Sequence, residues 1–270
     1  MKTFLSFVVL LASFAVALPA QDAAKVDKTQ EVTPTRKAWN EVQGAYRKAV
    51  SEFMAPVSKA KSREEAAKIR ESLDMSKHPA HEYVPKMQAF AAANKGTPEG
   101  LEALSSLVGL AMTPAGEGKI PNAAVAKTAF ETILTDYIED PALARFASGI
   151  MRNATLAGLD GRAAAERIIK KSPHKEVRAN AMVAVADKLS NDPAASEEDK
   201  KAAAAIFAAL EKDYADTTSG KRAKGMRFAA ENLAVGKVCP DEEAVDENGA
   251  KFKISDYKGK VVVLDFWGIW

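Results

Sequence analysis

Between Arg36 and Val235 apolar residues recur at intervals of three and four, the spacing that gathers them on one face of an α-helix. Trp39, Val42, Tyr46, Ala49 and Phe53 make the first such stripe, which predicts a long opening helix. Further stripes follow: Leu101, Leu104, Val108 and Ala111; Val125, Ala129, Ile133 and Tyr137; Leu143, Phe146, Ala147 and Ile150; Val177, Ala181, Ala184 and Val185; Ile206, Leu210 and Tyr214. Helix starts are marked between them. Ser62-x-x-Glu65 fits a capping box, in which hydroxyl and carboxylate each satisfy the other's backbone N–H, and predicts a helix to about Met75. Pro79, Thr97-Pro98-Glu99, Pro121 and Asp140-Pro141 mark later starts, because proline is best tolerated in a first helical turn.

Two internal similarities run through this region. Phe130 to Tyr137 (FETILTDY) resembles Phe207 to Tyr214 (FAALEKDY), and the run opened by His174-Lys175-Glu176-Val177-Arg178 resembles Asp140 to Arg145. Helix pairs of roughly 33 to 40 residues point to a tetratricopeptide- or HEAT-like α-solenoid, each pair burying its apolar face on the next. The consensus residues of neither class are clear, so an irregular helical domain fits equally well. The fold class expected is therefore mainly α, with residues 36–235 as a helical domain.

The pattern differs at both ends. Residues 1–20 carry Lys2, an apolar run from Phe4 to Leu18 and small residues at Ala15-Val16-Ala17 and Leu18-Pro19-Ala20. They read as a secretory signal peptide, the run being short for a membrane span. The expected location is exported, periplasmic or secreted, with no stable membrane span after cleavage. Residues 21–35 are polar without apolar period and read as a flexible leader.

At the other end, 236–270, the period becomes that of strands. Glu243 to Val245 and Lys251 to Ile254 flank Asp246-Glu247-Asn248-Gly249, and Asn-Gly between strand-like runs is a hairpin signal because both residues tolerate positive φ. After a turn over Ser255 to Lys260, the run Val261 to Trp267 is β-branched and aromatic, which predicts a sheet strand covered on both faces.

The residues G-K-x-x-P-D (236–241) and then D-x-N-G-x-x-F-x-I-S-D-Y-x-G-K-V-V-V-L-D-F-W-G-x-W (246–270) resemble the opening of TlpA-like thiol-disulfide oxidoreductases. These belong to the broader thioredoxin-like redoxin group, with the alkyl hydroperoxide reductase/thiol-specific antioxidant domains. Pro240, Asp241, Gly249, Ser255, Asp256, Gly259, Lys260, Phe266, Trp267 and Trp270 carry the resemblance. It implies an incomplete thioredoxin-like α/β domain over 236–270, and thiol-disulfide exchange or peroxide reduction on a protein thiol, disulfide or peroxide, with no cofactor. In that family a Cys-x-x-Cys pair follows at once, on the first turn of a helix whose unpaired N–H groups stabilise the thiolate. The chain stops at Trp270, so the expectation is a truncated product or the front of a longer protein, inactive as it stands. Among its own residues no catalytic group is expected.

Composition narrows the rest. Lys+Arg 38 against Asp+Glu 36 gives +2, which offers nucleic acid no electrostatic footprint. Hydrophobic residues make up 47% but aromatics only 7%, a balance suited to closely packed alanine-rich helices. The single cysteine, Cys239, has no internal partner. It reads either as a small semi-buried hydrophobe or as a redox thiol. His78-Pro79-Ala80-His81-Glu82 is not a metal spacing, and no metal ligand set is expected. Gly116-Glu117-Gly118-Lys119 lacks the hydroxyl residue of a phosphate loop and reads as an ordinary loop. The alternative to an enzyme is a non-enzymatic helical binding or scaffold protein, with a protein partner for its helices and an inert redoxin remnant.

Overall fold

The computed structural model describes residues 33–233 and 236–265. The signal-peptide expectation, most of the leader, and Phe266, Trp267 and Trp270 lie outside the described residues. Among the described residues the protein is mainly α, with twelve α-helices and one two-stranded antiparallel sheet. The helices are α1 (Pro34–Phe53), α2 (Ala55–Ser58), α3 (Arg63–Ser72), α4 (Ala80–Ala93), α5 (Pro98–Leu110), α6 (Ala123–Asp136), α7 (Leu143–Ser148), α8 (Ile150–Leu156), α9 (Gly161–Lys171), α10 (Lys175–Asn191), α11 (Glu197–Asp213) and α12 (Thr218–Asn232). The chain divides into two compact units, one spanning 31–226 and the other containing 227–270, with the division falling inside α12.

The helical unit is a chain of neighbours. α4 packs on α5 and α5 on α6, while α10 packs on α7, α9 and α11. One continuous core runs from Trp39 through Phe130, Ile133 and Ile168 to Val185. A smaller cluster of Ala179, Val183, Leu210 and Ala223 adjoins it through Ile206, which touches both. Alanines occupy many core positions, which lets helix backbones approach closely. α10 is the pivot, since Val177, Ala181 and Val185 face the large core while Ala179 and Val183 face the small one.

The starts follow the chemistry of their first residues. Thr33 and Thr97 accept from backbone N–H groups at the starts of α1 and α5, each with proline in the first turn. Ser62 Oγ accepts from Glu65 N–H at 3.1 Å, but the Glu65 carboxylate turns to Lys61 N–H at 2.7 Å, so the expected box is only half formed. α3 stops at Ser72, and a 3₁₀ turn, Met75–Lys77, follows it.

The sequence similarity has a structural counterpart. FETILTDY closes α6 and FAALEKDY closes α11, with Tyr137 and Tyr214 as C-caps whose N–H groups reach Ile133 O and Leu210 O. A second repeated device is a Thr-x-x-Gly turn, Thr97 to Gly100 and Thr217 to Gly220. In each, the threonine Oγ1 donates to the carbonyl three residues back and accepts from the glycine N–H, locking helix end to helix start. α1 is held on α5 by polar contacts as well as apolar ones. Arg36 forks onto Glu102 at 2.8 and 3.0 Å and reaches Glu99 at 2.9 Å, while the buried Trp39 donates Nε1–H to Glu102 at 2.8 Å.

Candidate functional site

In the second unit, β1 (Glu243–Val245) and β2 (Lys251–Lys253) pair antiparallel with Ala244 opposite Phe252. The turn between them is organised by Asp246, whose Oδ1 accepts from Asn248 N–H and Ala250 N–H at 2.9 and 2.8 Å. Gly249 takes φ +83°, and Asn248 does not share the positive φ expected of it. This is a turn closed by one left-handed glycine rather than a two-residue Asn-Gly turn. Glu243 and Lys251 form a diagonal cross-strand ion pair at 2.8 Å.

Asp241 ties the hairpin's two flanks together. Its carboxylate accepts from Ser255 N–H at 2.8 Å and from Ser255 Oγ at 2.7 Å, across fourteen residues of chain. The Ser255 hydrogen bonds hold the Asp241 carboxyl below the usual carboxylate range. The 3₁₀ turn Ile254–Tyr257 begins where Asp256 accepts from Lys253 N–H at 2.8 Å, and Tyr257 meets Phe252 edge-on at 6.3 Å. Gly259 supplies the next left-handed position at φ +85°. Gly249 and Gly259 thus hold left-handed positions of one small unit, and Pro240 directly precedes its Asp241 clamp.

Two expectations are corrected here. Val261 to Asp265 is in no described strand, and Val261 and Val263 are 95% and 85% exposed. A strand exists through pairing, and the sheet among the described residues holds β1 and β2 alone. Cys239 is exposed rather than semi-buried.

A cleft of about 200 Å³ lies between α4, α5 and α6, floored by Ala91, Leu107 and Ala129 and edged by Gln88, Thr128 and Thr132. Lys95 and Asp136 pair across its rim at 3.1 Å. Tyr137 also lines it, with its hydroxyl accepting from Gly96 N–H at 2.9 Å and its pKa raised by burial. Gly116 to Lys119 is a loop with positive φ at Gly116, Glu117 and Gly118. Among the described residues no group of three or more His, Cys, Asp or Glu side chains assembles to hold a metal ion. His174 precedes α10 and its Nε2 lies 2.8 Å from Glu139 O. Nothing in the apolar period signals the cleft, because its floor is the same small-residue face that packs the helices.

Comparison with known proteins finds short similarities. A stretch of 38 residues is 47% identical to the thiol-disulfide oxidoreductase ResA of Geobacillus kaustophilus (strain HTA426), covering 14% of this chain and 22% of that protein. Forty residues are 42% identical to ResA of Bacillus thuringiensis subsp. konkukian (strain 97-27), covering 15% and 23%. The ResA of Bacillus cereus (strain ATCC 10987 / NRS 248) matches to the same extent. The chain therefore spans less than a quarter of the length of these relatives. No family model matches, and no solved structure matches.

Proposed function

We propose that 236–270 is the opening of a TlpA-like thiol-disulfide oxidoreductase domain, carried by an exported protein behind a helical array that positions its substrate or partner. The observation that carries this reading is the Asp241 clamp on Ser255, joined to a hairpin closed by Gly249. It accounts physically for why P-D and S-D recur as a pair in the resembled motif: one carboxylate sets the exit angle of the hairpin. The short similarity to ResA supports the same assignment.

In this reading the chemistry belongs to a Cys-x-x-Cys pair following Trp270. The first thiolate attacks a disulfide sulfur of the substrate, giving a mixed disulfide and releasing one substrate thiolate. The second cysteine then displaces the remaining substrate sulfur, so that the protein leaves oxidised and the substrate reduced. Export suits this, since disulfides persist outside the reducing cytosol. A peroxide substrate is the companion possibility within the redoxin group.

The test is to express the reading frame through and past the Trp270 codon and follow insulin disulfide reduction, with the first following cysteine changed to serine as control. Turnover that this change abolishes supports the proposal, and turnover indifferent to it sinks the mechanism. The alternative is a non-enzymatic helical scaffold with an inert remnant, and the one exposed cysteine favours it for residues 1–270. A frame with no cysteine pair beyond Trp270 would decide for that reading.

A further inference from the structure

The helical unit contains its own point of comparison for the cleft. FETILTDY and FAALEKDY set Tyr137 against Tyr214. The same offset carries the start of α5 at Pro98 to the start of α10 at Lys175, and the end of α6 at Asp136 to the end of α11 at Asp213. It also carries the buried Val84, Met87 and Ala91 of α4 to the buried Gly161, Ala164 and Ile168 of α9. α5 packs on α4 and α6 as α10 packs on α9 and α11. The three helices that line the cleft therefore recur as α9, α10 and α11, position against position.

Two exchanges separate the copies. On the middle helix the first has Leu104 and Leu107 where the second has Ala181 and Ala184, and on the outer helices it has Ala91 and Ala129 where the second has Ile168 and Ile206. Each copy thus holds two branched residues and two alanines, in inverted places. In the second copy the outer helices supply the bulk: Ile168 is fully buried and Ile206 touches both cores. In the first they are trimmed to alanine beside the leucines, which leaves the space of about 200 Å³.

The other exchange is polar. Gln88, Lys95, Thr128 and Thr132 line the cleft, and their counterparts are Ala165, Ser172, Ala205 and Ala209. Corresponding helices pack with alanine at three of these positions, so packing does not call for the polar groups. Lys95 and Asp136 neutralise one another at 3.1 Å where α4 and α6 both end, so the two helices run in the same direction and Gln88 stands across from Thr128 and Thr132. The Gln88 amide and the Thr128 hydroxyl offer both donor and acceptor, while Thr132 Oγ1, which donates to Thr128 O at 2.8 Å, still accepts. Side chains four apart on α6 recur about every 6 Å, close to the repeat of about 6.7 Å between same-face residues of an extended chain.

We propose that this cleft docks an extended, uncharged polypeptide segment. One side chain of leucine, methionine or phenylalanine size lies between Ala91 and Ala129 on Leu104 and Leu107, and the neighbouring backbone amides bond to Gln88, Thr128 and Thr132. A cavity of about 150 Å³ admits benzene, so the space suits one such side chain. The docking site names the partner class for the positioning role proposed above and rests on that role alone. Binding without insulin reduction leaves it standing, and reduction without binding removes it but not the thiol chemistry.

The experiment uses the whole chain with carbon-13 methyl labels on leucine and valine. It is titrated with pools of blocked octapeptides, random in serine, threonine and glycine around one fixed central residue. Pools centred on leucine, methionine or phenylalanine are expected to shift the methyl signals of Leu104, Leu107 and Val125 saturably, and pools centred on alanine or aspartate to bind at least about tenfold more weakly. Ala91→Ile with Ala129→Ile, which installs the second copy's residues, is expected to abolish the saturable response. Gln88→Ala with Thr128→Ala and Thr132→Ala is expected to weaken it at least about tenfold while keeping the helices, since alanine favours them. If circular dichroism shows that the isoleucine pair unfolds the protein, the alanine variant decides alone. The site is overturned by no saturable shift with any pool at millimolar concentration, or by unchanged binding in either folded variant. N-acetyl-leucinamide binding as tightly as the leucine pool also overturns it, and would assign the cleft to a small apolar amide.

Discussion

Glycine to alanine inside a helix normally stabilises, by up to about 1 kcal/mol, because alanine restricts the unfolded chain and favours helix. At Gly220 the structure reverses that sign. A Cβ there would sit 2.0 Å from Tyr214 O, 2.5 Å from its carbonyl carbon and 2.9 Å from Leu210 O, all backbone atoms of α11 and its cap. No rotamer change relieves such a contact, so α11 and α12 must move apart. Gly100 is its counterpart: a Cβ there would meet Asn94 O at 2.2 Å and the Tyr137 hydroxyl at 2.8 Å. Overpacking of this kind costs about 1–3 kcal/mol, which outweighs the propensity gain. Gly44 and Gly109 serve as controls, lying within α1 and α5 with nothing inside 4 Å of the added carbon. Urea unfolding followed at 222 nm is expected to place Gly220→Ala and Gly100→Ala below the wild type by about 1–3 kcal/mol, and Gly44→Ala and Gly109→Ala at or above it. If Gly220→Ala and Gly100→Ala are as stable as the controls, the repeated Thr-x-x-Gly turn is not the close helix-to-helix joint described above.

Glu102→Ala strips the acceptor from the buried Trp39 N–H and is expected to cost about 1–3 kcal/mol, read by the same assay; no loss would mean the α1 seam is purely apolar. The Arg36 hydrogen bond holds the Glu102 carboxyl below its usual range, so that stabilisation is complete above the unfolded value of about 4.3 and fades as pH falls through the folded one. Ending the chain at Val235 is expected to leave helical circular dichroism and the melting transition unchanged, since the buried core runs from Trp39 to Ala223, while lowering light scattering by removing the exposed Val261 and Val263. Unfolding of the helices on that deletion would contradict it. Intact-mass analysis of the exported protein is expected to find a mature chain starting near Leu18 or Gln21; Met1 retained on a cytoplasmic protein would remove the export proposal.

The helices were legible because burial on one face imposes a period, and Leu143, Phe146, Ala147 and Ile150 are all buried as that period requires. α10 shows its limit. A helix packed on two sides loses its single stripe, so Ala179 and Val183 escaped a reading that found Val177, Ala181 and Val185. The Thr-x-x-Gly joint was present in the letters, but its meaning depends on where the preceding helix ends, which is a tertiary fact. Val261 to Asp265 failed in the opposite way: its residues have strand propensity, and among the described residues no strand pairs with them. The Asp241–Ser255 clamp spans fourteen residues, beyond the reach of local pattern, and only the resembled motif placed those residues together. The approach of His81 Nε2 to the Pro114 carbonyl was invisible because 33 residues separate them.

The most direct test of the central claim is to count cysteines in the natural protein by reduction, alkylation and peptide mass spectrometry. If the proposed domain is intact, a peptide continuing past Trp270 is expected to carry two alkylated cysteines in Cys-x-x-Cys spacing, in addition to Cys239. A natural protein whose only alkylated residue is Cys239 would contradict it.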